Sequence, residues 1–196
     1  MYYAHRNKNG DLQTLPDHLN NVAKRAGCFA KSFGRELEAY QAGKTHDTGK
    51  SSNEFQKRLF GGPAVDHSTA GAKEFMKLKM LSPAFCVAGH HTGLPDMGNR
   101  GDSDGLPTLQ GRLKRNIPKY ELTGDKLNLK YIKEPEFTSG FDFAFYTRMI
   151  FSCVVDADFL DTADFMDGRV PFAGSYDSLE TDVYKRQPLL WKNTVI

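Results

Sequence analysis

The fold class is decided by residues 141–168, which read FDFAFYTRMIFSCVVDADFLDTADFMDG. This stretch is far longer than an ordinary strand, and its first half is apolar nearly all round. A helix that is apolar on every side is typical of the interior of a protein. The sequence therefore predicts a long, central, buried helix, and the carboxylate of Asp156 falls inside its apolar part.

The segments before it are also helical in pattern. Residues 17–33 read DHLNNVAKRAGCFAKSF, in which apolar side chains recur at steps of three and four. Further helices are predicted over roughly 36–47, from Asp66 to about Leu81, and onward from Pro83. No convincing strand pair is present. The prediction is an all-α, compact multi-helix bundle with a long irregular insertion at about 93–140, which holds seven glycines and four prolines.

The bulk composition excludes several classes of protein. In a chain of 196 residues, 39% are apolar and 26% are charged, as in an ordinary globular domain. No apolar run approaches the roughly 20 residues of a membrane span, and the N-terminus lacks the layout of a signal peptide. Three scattered cysteines indicate reduced thiols and a cytoplasmic protein. The net charge of +2 is too small for a strongly basic duplex-binding domain.

Histidines and aspartates supply the candidate chemistry, because imidazole and carboxylate together form the ligand set of hydrolytic metal sites. An ionised Asp156 in an apolar helix requires a cation, since Arg148 lies eight residues away. We expect His5 to lie outside the set, Asp66 to be only a helix cap, and the later aspartates of this helix to be exposed or capping groups. The predicted ligands are His18, His46, Asp47, His67, His90, His91 and Asp156.

Four motifs carry a family resemblance. They are His46-Asp47-Thr48-Gly49-Lys50, Asp66-His67-Ser68-Thr69-Ala70-Gly71-Ala72, Gly89-His90-His91-Thr92-Gly93-Leu94 and Asp156-Ala157-Asp158-Phe159-Leu160-Asp161-Thr162. In this order they resemble the HD phosphohydrolase superfamily. Within it they look like the HD nuclease domain of the CRISPR-associated helicase-nuclease of type I interference systems, over residues 3–167.

The resemblance implies an all-helical HD-domain bundle that cuts single-stranded DNA with two divalent metal ions. By this likeness, one ion is held by His18, His46, Asp47 and Asp156, and Asp47 bridges to a second ion held by His67, His90 and His91. Asp47 and Lys50 are the implied catalytic residues, with Lys50 contacting a phosphate. Nitrogen-rich ligation favours iron, manganese, nickel or cobalt, and magnesium is possible.

The resemblance also implies a domain layout and partners. Residues 1–168 form the metal-dependent nuclease domain, and residues 169–196 are a C-terminal tail or a truncated linker towards a helicase. The expected partners are single-stranded DNA, a helicase domain or subunit, and the CRISPR RNA-guided targeting complex, with no membrane. A basic cluster in the insertion is a candidate contact for the DNA backbone, with a solvated loop face as the alternative: Arg112, Lys114, Arg115 and Lys119.

The function predicted from these residues is metal-dependent hydrolysis of phosphodiester bonds in single-stranded DNA during antiviral CRISPR interference. One alternative within the superfamily is a phosphohydrolase acting on nucleotides or cyclic nucleotides. Another is a binding module that keeps the fold without catalysis, although intact ligand types at all seven positions argue against it.

Overall fold

Helices form most of the fold in the computed structural model, which describes residues 1–121 and 129–168. The α-helices of this part are α1 Leu15–Phe29, α2 Glu36–Thr45, α3 Asn53–Arg58, α4 Ser68–Lys77, α5 Leu81–Gly89, α6 Leu109–Lys114 and α7 Gly140–Met166. Two short 3-10 helices, Ala30–Phe33 and Thr48–Ser51, follow α1 and α2. The predicted helical class is confirmed, whereas the predicted tail at 169–196 lies outside the described residues.

The core lies where five helices meet. α1 packs against α2 and α7, and α5 packs against α4 and α7. Small side chains on α1 and α2, such as Ala26 and Ala42, let these helices lie close together, and Phe75 of α4 fills the space beside them. The most buried apolar side chains of this cluster are Val22, Ala26, Ala30, Ala39, Ala42, Phe75, Met80, Ala84, Val87, Ile150, Val154 and Ala157.

Helix α7 has the predicted length but is not buried on every side. Its inner stripe runs through Ile150, Val154 and Ala157, at the three- and four-residue steps of a helix. On its outer face Phe141 is 75% exposed and Phe159 is 71% exposed. The expectation of a central helix surrounded by core is therefore wrong, since apolar composition alone does not show which face has a partner.

Two strands precede α1, although the sequence pattern gave no convincing pair. β1 (Tyr3–Arg6) and β2 (Leu12–Thr14) pair antiparallel, with His5 opposite Gln13. Gly10 has a φ of +92° in the connecting turn, a conformation that glycine adopts without strain. The side chain of Thr14 then caps α1 by accepting a hydrogen bond from the backbone N–H of Asp17. The hairpin therefore places His5 beside the start of α1.

The predicted insertion at 93–140 is only partly irregular. It contains α6, which the sequence pattern did not indicate, and residues 122–128 lie outside the described part. Leu109 of α6 is fully buried and packs with Phe85 and Ala88 of α5. Of the helices described, α7 included, none has the combined length and apolarity needed to cross a membrane.

Candidate metal centre

Six of the seven predicted ligands converge on one cluster, and each lies at or near the end of a helix. His18 is in the first turns of α1, and His46 and Asp47 follow directly on α2. His67 is the N-cap of α4, while His90 and His91 lie just after α5. Asp47, His18 and His46 are fully buried, whereas His91 is exposed, so the cluster reaches solvent on the side of His91.

One part of the cluster, called here the His18 half, consists of His18, His46, Asp158 and the Oδ2 atom of Asp47. The Nε2 atoms of His18 and His46 are 3.2 Å apart, and each lies 3.2 Å from Asp47 Oδ2. Asp158 Oδ1 is 3.3 Å from His18 Nε2 and 3.6 Å from His46 Nε2. Two nitrogens and two oxygens thus surround one point.

The other part, called the His91 half, consists of His67, His90, His91 and the Oδ1 atom of Asp47. The Nε2 atoms of His67 and His91 are 2.8 Å apart. Asp47 Oδ1 lies 3.2 Å from His67 Nε2 and 3.4 Å from His90 Nε2. Asp47 therefore presents one carboxylate oxygen to each half.

Hydrogen bonds from Nδ1 to backbone carbonyls fix how three of these histidines face the cluster. His46 Nδ1 is 2.7 Å from the Gly43 carbonyl oxygen, and His90 Nδ1 is 2.7 Å from that of Val87. His67 Nδ1 lies 3.2 Å from the Val65 carbonyl oxygen. Because a carbonyl oxygen only accepts, each Nδ1 carries a proton and donates it, which leaves Nε2 as the nitrogen that faces the cluster.

His18 is held in the same way by a carboxylate. Its Nδ1 lies 2.8 Å from Asp161 Oδ2, and that oxygen also accepts a hydrogen bond of 2.8 Å from Gln13 Nε2. A carboxylate behind a histidine orients the ring and raises its basicity, which is the usual outer-shell arrangement of histidine ligands.

The donor set fits divalent cations. Neither oxygen of Asp47 accepts a hydrogen bond of normal geometry, and His90 Nε2 has no partner, although all three atoms are buried. Buried polar atoms without well-directed hydrogen bonds are costly even beside charged neighbours, so a cation that all of them can bind is the economical occupant. Metal–ligand bonds of about 2.0–2.2 Å place neighbouring ligands about 2.8–3.6 Å apart in octahedral or tetrahedral geometry, which is the spacing within each half. These buried groups could therefore hold a metal ion.

The electrostatics of the cluster also favour positive charge. Burial alone would lower the pKa of His46, but Asp47 and Asp158 outweigh burial and raise its pKa to about 10. The pKa of His18 is raised to about 9 by Asp158, Asp161 and Asp47, again against the effect of burial. Burial would raise the pKa of Asp47, yet Lys50 and His46 hold it well below its usual value. The carboxylates thus stay ionised and attract cations.

Lys50 and His5 line the edge of the His18 half. Lys50 Nζ lies 2.6 Å from Asp47 Oδ2 and 3.3 Å from His5 Nε2. Burial, together with Lys50 and His18, lowers the pKa of His5 to about 3, so its ring is neutral. His5 can form a four-residue ligand group with His18, Asp47 and Asp158, so its exclusion from the cluster was wrong.

The carboxylate that α7 contributes is Asp158, which corrects the prediction of Asp156. Asp156 is exposed, whereas Asp158 reaches His18 and His46 with a side chain that is 15% exposed. Asp161, also expected at the surface, is buried behind His18. The argument that a buried carboxylate needs a nearby cation therefore applies to Asp47 and Asp158, and it does not apply to Asp156.

The basic cluster of the insertion is mostly engaged within the protein. Arg112 is buried, and its guanidinium donates to Ala88, Thr92 and Pro107, so the prediction that it contacts DNA is wrong. The remaining members are Lys114, bonded to the carbonyl oxygens of Arg100 and Asp102; Arg115, paired with Asp66; and Lys119, which is exposed. For these three a DNA contact stays a prediction.

Two glycines allow the backbone segments of the cluster to approach. A Cβ on Gly49 would lie 2.3 Å from the carbonyl oxygen of His67, and one on Gly71 would lie 2.3 Å from that of Thr45. Gly49 belongs to the 3-10 turn between Asp47 and Lys50, so its missing side chain brings that turn against His67. Gly71 brings α4 against the end of α2, just before His46.

No protein-family model matches the sequence. No curated protein is significantly similar to it.

Proposed function

We propose that this protein is a metal-dependent nuclease of the HD phosphohydrolase type, which hydrolyses phosphodiester bonds of single-stranded DNA in CRISPR antiviral interference. The proposed fold is the HD-domain bundle, and the proposed site is the cluster around Asp47. The four motifs in their order support the family, and the geometry of the cluster supports the chemistry.

The observation that carries the proposal is the position of Asp47 between the two halves. Its Oδ2 lies 3.2 Å from His18 and His46, while its Oδ1 lies 3.2 Å from His67 and 3.4 Å from His90. One carboxylate shared in this way suits two ions held side by side. The two halves offer five histidine nitrogens, which favour transition metals over magnesium. When bound, two such ions supply Lewis acidity at a phosphoryl oxygen and make water acidic enough to serve as the nucleophile.

The protein's own groups position substrate and protons. Lys50 Nζ, buried beside Asp47 and His5, is placed to donate to a non-bridging phosphate oxygen and to stabilise negative charge that develops on it. His5 Nε2 accepts a hydrogen bond from Lys50 and thereby orients the ammonium. Asp161 holds a proton on His18 Nδ1, so that Nε2 is the nitrogen placed to bind a cation.

A strand can reach the cluster from the side of His91, the exposed member of the set. The formal charge of +2 provides little electrostatic attraction for a polyanion. We therefore propose that a helicase domain or subunit and the RNA-guided targeting complex present the strand, as the resemblance implies. The isolated chain is then expected to cut exposed single strands without ATP.

The test uses circular single-stranded DNA, which only an internal cut can linearise. The full chain is incubated with it in manganese, nickel, magnesium or a chelator, and in parallel with mono-, di- and cyclic nucleotides. We expect linearisation with the transition metals, loss of activity with the chelator, and little nucleotide turnover. Asp47→Asn, which keeps the shape of the side chain, is expected to abolish cutting because it weakens both halves at once.

The matched control is Asp156→Asn, which removes an exposed carboxylate outside the cluster. Cutting that survives the chelator, or wild-type cutting by Asp47→Asn, would overturn the proposal. Turnover of nucleotides without any cutting of DNA would replace it with the nucleotide phosphohydrolase.

A further inference from the structure

Helix α6 lies against the His91 half, although it belongs to the insertion. Its only fully buried apolar side chain, Leu109, packs with Phe85 and Ala88 of α5. Thr108 caps the helix by accepting from the backbone N–H of Gly111. The helix is therefore fixed to α5, which His90 directly follows.

Arg112 of α6 brackets the histidine pair from both sides. Its Nη1 donates to the carbonyl oxygen of Ala88 at 2.8 Å, two residues before His90. Its Nη2 donates to Thr92 Oγ1 at 2.7 Å, one residue after His91. Its Nε donates to the Pro107 carbonyl oxygen at 3.2 Å, which ties the guanidinium to its own segment. The planar guanidinium thus fixes two points of the turn that carries the pair.

The acceptors explain why an arginine is buried here. The last four carbonyls of a helix lack partners within it, and Ala88 is one of these residues in α5. The guanidinium supplies a donor for that carbonyl and remains charged within a polar turn. An apolar residue of similar size would deprive the carbonyl of this donor.

Arg115, the residue after α6, contacts the residue that precedes His67, the remaining histidine of this half. Arg115 Nη1 lies 2.9 Å from Asp66 Oδ2. Asp66 in turn accepts from the backbone N–H of Thr69 and so caps the start of α4, next to His67. The segments that carry His67 and the His90-His91 pair are therefore both held from α6 and Arg115, whereas within the described part of the chain neither forms a hydrogen bond with His18, His46 or Asp158.

We propose that α6 is a brace for one half of the metal centre, and that Arg112 is the positioning residue that sets the affinity of the second ion. This inference rests on the two-ion site of the proposed function, but it does not depend on the substrate. Outer-shell partners of metal ligands typically change metal affinity by about 10–100-fold. Loss of Arg112 is therefore expected to weaken the ion of the His91 half by about that factor and to leave the His18 half unchanged.

Cobalt(II) titration of the full chain tests this, because its absorption spectrum reports the coordination of each bound ion. The wild-type protein is expected to bind two ions. Arg112→Ala is expected to bind one ion normally and the second about 10–100-fold more weakly. Arg112→Lys, which keeps the charge but not the two-pronged geometry, should fall between them. Lys114→Ala is the matched control, since this exposed residue of the same helix bonds only to loop carbonyls.

A gentler variant covers the case in which Arg112→Ala does not fold. Thr92→Val removes one acceptor of Arg112 at an exposed position with almost no change of shape. It should weaken the second ion alone, by several-fold, with the far-ultraviolet circular dichroism unchanged.

The outcomes separate the brace from the site on which it rests. If Arg112→Ala and Thr92→Val both bind two ions with wild-type affinity, the proposed brace is overturned. It is also overturned if a folded Thr92→Val protein binds both ions equally weakly. Fewer than two ions in the wild-type protein would instead overturn the two-ion site of the proposed function.

Discussion

The substitution Gly49→Ala probes how closely the turn after Asp47 must approach His67. A Cβ at this position would lie 2.3 Å from the carbonyl oxygen and 2.6 Å from the Cα of His67, and real contacts of a Cβ stay above 3.0 Å. Since Gly49 does not have a positive φ, alanine fits its backbone conformation without strain. The effect of the substitution therefore comes only from the close contact of the new Cβ with His67. One segment must therefore move by at least about 0.7 Å.

That displacement is large beside the spacing of the cluster. It would change the distance of 3.2 Å between Asp47 Oδ1 and His67 Nε2. Overpacking of a tight site costs about 1–3 kcal/mol. For a chain of this size each kcal/mol corresponds to about 2–4 °C, so the melting temperature should fall by about 2–12 °C. A misplacement near 1 Å can reduce catalysis about 100-fold, and we expect that loss in strand cutting.

The assay combines thermal unfolding, cobalt(II) titration and cutting of circular single-stranded DNA. Gly101→Ala is the matched control, because a Cβ there would meet nothing within 4 Å and its φ is not positive. Wild-type melting temperature and wild-type metal stoichiometry in Gly49→Ala would refute the reasoning. An equal loss in Gly101→Ala would show that the contact with His67 is not the cause.

Three further predictions concern the same cluster. Asp158→Asn should lower the cobalt affinity of the His18 half by more than about 100-fold, which exceeds the usual effect of an outer-shell partner. Asp156→Asn should leave that affinity unchanged. A larger loss of affinity in Asp156→Asn than in Asp158→Asn would favour Asp156 as the carboxylate of α7. His5→Ala should lower the rate of cutting on the order of tenfold, since it removes one hydrogen bond to a charged group, while its neighbour Arg6→Ala should cut normally. Cobalt at about 100 times its Kd should stabilise the folded protein by about 2.7 kcal/mol per site and so raise its melting temperature. A chelator should reverse that rise. An unchanged melting temperature in cobalt would argue against tight binding.

The positions of the clustered histidines could be predicted because local sequence determines where each one lies. His46 and His90 follow helices whose ends are marked by nearby glycines, and the motifs around them name the residues directly. His67 follows a carboxylate that caps α4, as the sequence suggested. In each case a helix end is a local property, and the ligand is adjacent to it.

The choice between Asp156 and Asp158 could not be made from periodicity. Both residues flank Ala157 of the inner stripe, and each points about 100° away from it, on opposite sides. The apolar residues before Asp156 suggested that its side chain is buried. In the folded protein, however, the cluster lies on the side of the helix that carries Asp158. A signal was nevertheless present, because Asp158 and Asp161 are spaced i, i+3 and so share a face.

His5 was missed because its strand is too short to show alternation. β1 has four residues and β2 has three, so neither gives a period of two that can be distinguished from a loop. The dipeptide Asn9-Gly10 between them is a hairpin signal that could have indicated the pair. Even so, the pairing alone would not place His5 beside Lys50, since that contact spans 45 residues of sequence.

The histidines that follow α2 and α5 also complete those helices. The ring of His46 takes up the Gly43 carbonyl, and the ring of His90 takes up that of Val87, each among the last four carbonyls of its helix. In each case one hydrogen bond thus both pairs a carbonyl at the helix end and orients the histidine ring towards the cluster. Insertion or deletion of a single residue in either last turn would rotate the ligand by about 100° and remove it from the cluster. The length of these two helix ends is therefore tied to the position of the two histidines in the cluster.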